Sequence, residues 1–150
     1  MKKMDLGQTL SIIANIGVVA GIAFLVIELQ QNTRSLEMNG YQELIGQINT
    51  YATLLLERPE LSEAARSAPA ELSKELAQQV SSMYYLITRQ GDLAFYQYQR
   101  GILTEERLES TLGPLLDRIC YPSYRDFWEG ANHNFVADYR HYIDSRLDKC

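Results

Sequence analysis

Two residue types that build catalytic and metal sites are scarce in this chain: it has two histidines, His133 and His141, and two cysteines, Cys120 and Cys150. The cysteines are far apart and match no metal-ligand spacing. No serine sits in a nucleophile-elbow pattern, and neither an H-E-x-x-H pair nor a phosphate-binding loop occurs. No cofactor is therefore expected. There is no run of Lys or Arg, and the net charge is −5. That excludes a nucleic-acid binder, which needs a basic face to neutralise phosphates, and a polybasic lipid-binding segment. Alternating strand patterns of useful length and internal repeats are absent too. With 46% hydrophobic and 22% charged residues, the chain is too apolar for disorder.

The most informative absence is local. Residues 6–27, LGQTLSIIANIGVVAGIAFLVI, contain no charge. As a helix this run covers roughly 33 Å at ~1.5 Å per residue, about the thickness of a bilayer's hydrocarbon core. Lys2 and Lys3 ahead of it also suit a secretory signal. The run is longer than a usual signal core, however, and the polar, bulky residues after it (Glu28 to Arg34) offer no A-x-A-like cleavage site. A third reading, a core helix of a soluble oligomer, draws on Gln8, Thr9, Ser11 and Asn15, which dilute the hydrophobicity. An uncleaved membrane anchor over residues 1–33 is favoured, followed by a helical domain over residues 34–150. Ala14, Gly17 and Gly21 share one helical face, where small residues let two backbones approach, so self-association is expected there. Lys2 and Lys3 against Arg34 favour a cytoplasmic N-terminus and a domain on the other side.

Beyond Arg34 the apolar spacing is helical throughout. Tyr41, Leu44, Ile45, Ile48, Tyr51, Ala52 and Leu55 form one stripe. This helix continues from the anchor, with Asn32 and Thr33 as the place for a kink, and Pro59 ends it. Residues 61–66 form one or two turns. A long helix is expected over residues 70–100, closed by Gly101 in the left-handed C′ position. Its stripe comprises Leu72, Leu76, Val80, Met83, Tyr84, Ile87, Gly91, Ala94, Phe95 and Tyr98. Thr104 is an N-cap with Glu105 and Glu106 in the first turn. Gly113-Pro114 should kink or restart that helix. A short aromatic helix carries Tyr124, Phe127 and Trp128 and stops at Gly130. Asn134 caps the last helix. The fold class is all-α: an N-terminal transmembrane helix, then an antiparallel bundle of about four to five helices.

Among chemical candidates, Asp138, His141 and Asp144 lie three apart on one helix, where a carboxylate beside an imidazole could build a hydrolytic base or a metal site. The interleaved Arg140, Arg146 and Lys149 make the ordinary alternative a solvated face of ion pairs. A stronger candidate is the cluster at residues 95–100. Phe95 and Tyr98 belong to the buried stripe, which leaves Tyr96, Gln97, Gln99 and Arg100 to face a partner or ligand. Trp128, with Tyr124 and Phe127, packs on that cluster or lies at a membrane surface. Cys120 and Cys150 form a disulfide if the domain faces an oxidising compartment, and two inert thiols otherwise.

The stretch NIGVVAGIAFLVIELQQNTR, residues 15–34, resembles the opening of a group of small, uncharacterised bacterial proteins. Their pattern is N-I-G, a membrane helix and a Q-N-T-R exit. The resemblance continues at Arg58-Pro59-Glu60-Leu61, at residues 95–103, at Phe127-Trp128 and at Tyr142-Ile143-Asp144. Members usually carry a basic residue where Gln31 stands here. The resemblance implies a membrane-anchored helical domain of bacterial origin, in the inner membrane, with no activity to carry over. The expected function is a non-enzymatic interaction or scaffolding protein, with the bilayer, a second copy and an unidentified protein or small molecule as partners. The alternatives are a ligand sensor, its pocket between the helix at residues 70–100 and the C-terminal helices, and a hydrolase using Asp138, His141 and Asp144.

Overall fold

The computed structural model describes residues 6–150, so Lys2 and Lys3 lie outside the described residues. Among the described residues there are six α-helices and no strand. They are α1 (Leu6–Glu57), α2 (Glu60–Ala64), α3 (Lys74–Gln99), α4 (Glu105–Leu116), α5 (Pro122–Ala131) and α6 (Ala137–Leu147), with 3-10 turns at Pro69–Glu71 and Asn132–Asn134. The chain divides into two compact units, Met1–Asn39 and Gly40–Cys150.

In the first unit, residues 7–39 of α1 are all exposed, and the most apolar 18-residue stretch of the helix has a mean hydropathy of 2.5. The kink expected at Asn32 and Thr33 is not a break, since α1 runs through both. Thr33 Oγ1 donates to the Leu29 carbonyl at 2.9 Å and Ser35 Oγ to the Gln31 carbonyl at 3.0 Å. These hydroxyls find acceptors in the preceding turn, so polar side chains are accommodated without ending the helix.

The second unit is organised around α3, which packs on α2, α4 and α5. Ser73 caps α3 by accepting from the Leu76 amide, so the helix starts at Lys74 rather than at residue 70. It closes as expected: Gly101 adopts φ +70°, and the Ile102 amide reaches back to the Gln97 carbonyl at 2.9 Å. Thr104 caps α4, its hydroxyl accepting from the Arg107 amide. Pro114 does not restart α4, which continues through it to Leu116. The missing donor falls in the last turn, where few bonds remain to be lost. Gly130 does not stop α5, and Asn134 does not cap α6. Asn134 donates instead to the Ala131 carbonyl within the 3-10 turn, and Val136 occupies the N-cap.

The core explains the tyrosine load. Tyr84, Tyr124 and Tyr139 are fully buried, and each hydroxyl has a partner. Tyr84 Oη donates to the Ala65 carbonyl at 3.0 Å and lies 2.9 Å from Ser123 Oγ. Tyr139 Oη donates to the Thr88 carbonyl at 3.0 Å, and Thr88 Oγ1 meets Tyr124 Oη at 3.3 Å. Burial without such partners costs about 1–3 kcal/mol per group. Gly91 lets α3 approach this layer: an added Cβ would sit 2.3 Å from Tyr139 Oη and 2.6 Å from Leu112 Cδ2. Cys120 and Cys150 form a disulfide with Cα atoms 5.4 Å apart, tying the α4–α5 junction to the end of the chain.

Candidate functional site

The cluster at residues 95–100 separates into three environments. Tyr96 is half exposed, and the Arg100 guanidinium lies 5.2 Å from its ring centroid. Gln99 donates to Asp138 Oδ2 at 3.2 Å, joining α3 to α6. Gln97, expected to face outward, is buried at 7% exposure, whereas Tyr98, expected in the buried stripe, is 36% exposed. The reason is the angular drift of the buried face over the length of α3. By its last turns the inward positions are Gln90, Ala94 and Gln97, a heptad-like set opposite α1, where Gly40 meets the Gln97 side chain.

Trp128 is not a surface residue. It is 3% exposed, its ring lies 5.4 Å from that of Phe135, and Nε1 donates to Asp144 Oδ1 at 2.7 Å. That bond and the Gln99–Asp138 bond occupy both carboxylates of the expected acid–imidazole cluster. His141 is exposed, so it faces no cleft and the arrangement required of a general base is missing. Among the described residues no group of three or more His, Cys, Asp or Glu is placed to hold a metal ion.

The space between α3 and the C-terminal helices, expected to house a pocket, is filled by Tyr84, Tyr124, Phe127, Trp128, Phe135 and Tyr139. The concave surface lies mainly along the side of α3 that faces α1 and reaches the start of α6 only at Val136. Gln47, Thr50, Tyr51 and Leu54 of α1 and Tyr85, Leu86, Arg89 and Gln90 of α3 line a groove of about 340 Å³. Its walls are mostly apolar, with Tyr51, Leu54, Tyr85 and Leu86 beside Gln47 and Gln90. Shared residues join it to two neighbouring hollows. Leu54 and Leu86 lead to one of about 430 Å³, and Gln47 and Arg89 lead to one of about 380 Å³ that reaches Tyr96, Gln99 and Val136.

Polar satisfaction is incomplete along this seam. Among the described residues four buried side-chain atoms lack a hydrogen-bond partner: Tyr51 Oη, Gln90 Nε2, Gln97 Oε1 and Thr111 Oγ1. Gln90 and Gln97 belong to the α1–α3 seam. Tyr51 faces the charges of Arg118 and Asp117, and burial holds its phenol above the usual value. Arg89, at the rim, is fully engaged. It pairs with Asp92 at 2.8 Å, donates to Tyr85 Oη and the Asn134 carbonyl at 3.0 Å each, and stacks 4.4 Å from the Phe135 ring centroid. The groove therefore presents no uncommitted charge. The amino-acid pattern held one signal of it: Gln90 interrupts the apolar stripe seven residues after Met83.

The small residues of α1 are open. An added Cβ at Gly17 or Gly21 would meet nothing within 4 Å, and Ala14 is exposed. No protein-family model matches the chain, and neither a curated protein nor a solved structure does.

Proposed function

We propose that this chain is a single-pass membrane protein of the bacterial inner membrane, a helical bundle domain anchored by α1 that serves interaction or scaffolding rather than catalysis. The observation that carries the reading is the exposure of α1. Twelve large apolar side chains between Leu10 and Leu29 stand open. At about 1.5 kcal/mol each, burying them in lipid is worth roughly 18 kcal/mol. That exceeds the ~5–15 kcal/mol that holds a typical domain folded, so water is an untenable surrounding for this segment. Residues 7–39 are exposed throughout, which favours lipid over a soluble core.

The disulfide supports an extracytoplasmic domain, because such bonds persist in oxidising compartments. The excess of Lys2 and Lys3 over Arg34 points the same way. Association of two copies through Ala14, Gly17 and Gly21 fits the open face of small residues. The test is alkaline carbonate extraction of membranes, with the chain expected to remain in the pellet; release into the supernatant refutes the anchor. For orientation, an impermeant maleimide on intact spheroplasts should label Cys120 and Cys150 only after reduction. Labelling that needs lysis but no reduction would place the domain in the cytoplasm.

A further inference from the structure

The α1–α3 seam combines a long trough, apolar in its middle section and polar at its ends around Arg58, Glu75 and Asp92, with a buried amide that has no partner. The trough follows α3 from Gln79 to Gln99, about 30 Å at ~1.5 Å per residue, a length suited to an extended chain. Its middle section of about 340 Å³ falls within the range of small-molecule sites, roughly 300–1,000 Å³. Gln90, 7% exposed, lines that section, and its Nε2 has no acceptor.

We propose that this seam binds a neutral acyl ester, the acyl chain lying along Leu54, Tyr85 and Leu86 and the ester carbonyl accepting from Gln90 Nε2. Rotation about the broad terminal torsion of Gln90 presents the amide to the groove. An acceptor is required because the orphaned atom is a donor. A neutral group is required because Arg89 is already committed to Asp92, Tyr85 and the Asn134 carbonyl and Arg58, at the far end, to Glu60 and Gln79, so a carboxylate or phosphate in the apolar middle section would find no free cation.

The experiment uses the full chain in phosphatidylcholine nanodiscs and a monoacylglycerol bearing a diazirine in its acyl chain. After irradiation and trypsin digestion, label is expected in the peptides 35–66 and 75–89. Unlabelled monolaurin should compete, and a dodecyl sulfonate at equal mole fraction should not. Gln90→Leu keeps the volume and removes the donor, so labelling should fall about fivefold, the worth of one hydrogen bond. Its thermal midpoint should stay level or rise, because an unsatisfied buried group is gone. Leu86→Trp, filling the trough from its exposed wall, should also reduce labelling. Label confined to residues 6–34, equal labelling of Gln90→Leu, or equal competition by the sulfonate overturns the proposal. Labelling is read on whichever fraction, disc or supernatant, holds the chain, so loss of the anchor and loss of the site are separate results.

Discussion

Gly91→Ala is the sharpest test of how α3 meets the tyrosine layer. The new Cβ would lie 2.3 Å from Tyr139 Oη, 2.6 Å from Leu112 Cδ2 and 3.4 Å from Leu115 Cδ2. The first two separations are far inside van der Waals contact. Tyr139 and Leu112 are at most 1% exposed, so neither has free space to retreat into. Helix propensity favours Ala by about 1 kcal/mol. Against that stand overpacking, about 1–3 kcal/mol, and displacement of Tyr139 Oη from the Thr88 carbonyl, another ~1–3 kcal/mol for an unpaired buried hydroxyl. The net expectation is a loss of about 3 kcal/mol, or about 10–15 °C in thermal midpoint for a unit of this size. Near-ultraviolet circular dichroism of the reconstituted chain reads it. Gly46→Ala is the control, since nothing lies within 4 Å of its added carbon; it should gain up to about 1 kcal/mol. Tyr139→Phe in the Gly91→Ala background should recover part of the loss, a coupling of about 1 kcal/mol in a double-mutant cycle. If Gly91→Ala is neutral or stabilising, the close approach of α3 to Tyr139 and Leu112 is wrong.

Other outcomes follow from the same geometry. Replacing Cys120 and Cys150 by Ser opens a loop of 30 residues, and the midpoint measured by denaturant unfolding should correspond to a loss of about 3–4 kcal/mol; an unchanged midpoint would show that the bond constrains nothing. Burial pushes the Tyr84 and Tyr142 phenols up to about 12. A phenol raised in the folded state leaves stability intact below the unfolded value near 10 and removes it as pH climbs through 12. Denaturant midpoints should therefore be insensitive to these groups up to about pH 10 and fall steadily above it, and a flat profile to pH 12 refutes their protection. In a bacterial transmembrane association reporter, Gly17→Ile and Gly21→Ile should each weaken dimerisation about tenfold, and no change would exclude that face. His141→Ala should shift the thermal midpoint by the equivalent of less than ~0.5 kcal/mol, as expected for an exposed side chain.

The helical class and the uncharged span were legible in the sequence because both rest on local properties. A 22-residue run without charge makes one continuous apolar helix whatever surrounds it, and the caps at Thr104 and Gly101 depend only on backbone geometry at single residues. Periodicity also marked most of the buried face of α3, from Val80 to Phe95. Tertiary structure decided the rest. Whether Gln97 or Tyr98 turns inward depends on which side α1 approaches the end of α3, and a stripe averaged over the helix cannot report that. Trp128 reads equally as interfacial or internal until α6 brings Asp144 to its indole nitrogen. The pairing of Cys120 with Cys150 needed the chain's end folded back to the α4–α5 junction. The groove at Gln90, between α1 and α3, is a matter of interhelical distance, of which Gln90 was the single mark in the residue pattern.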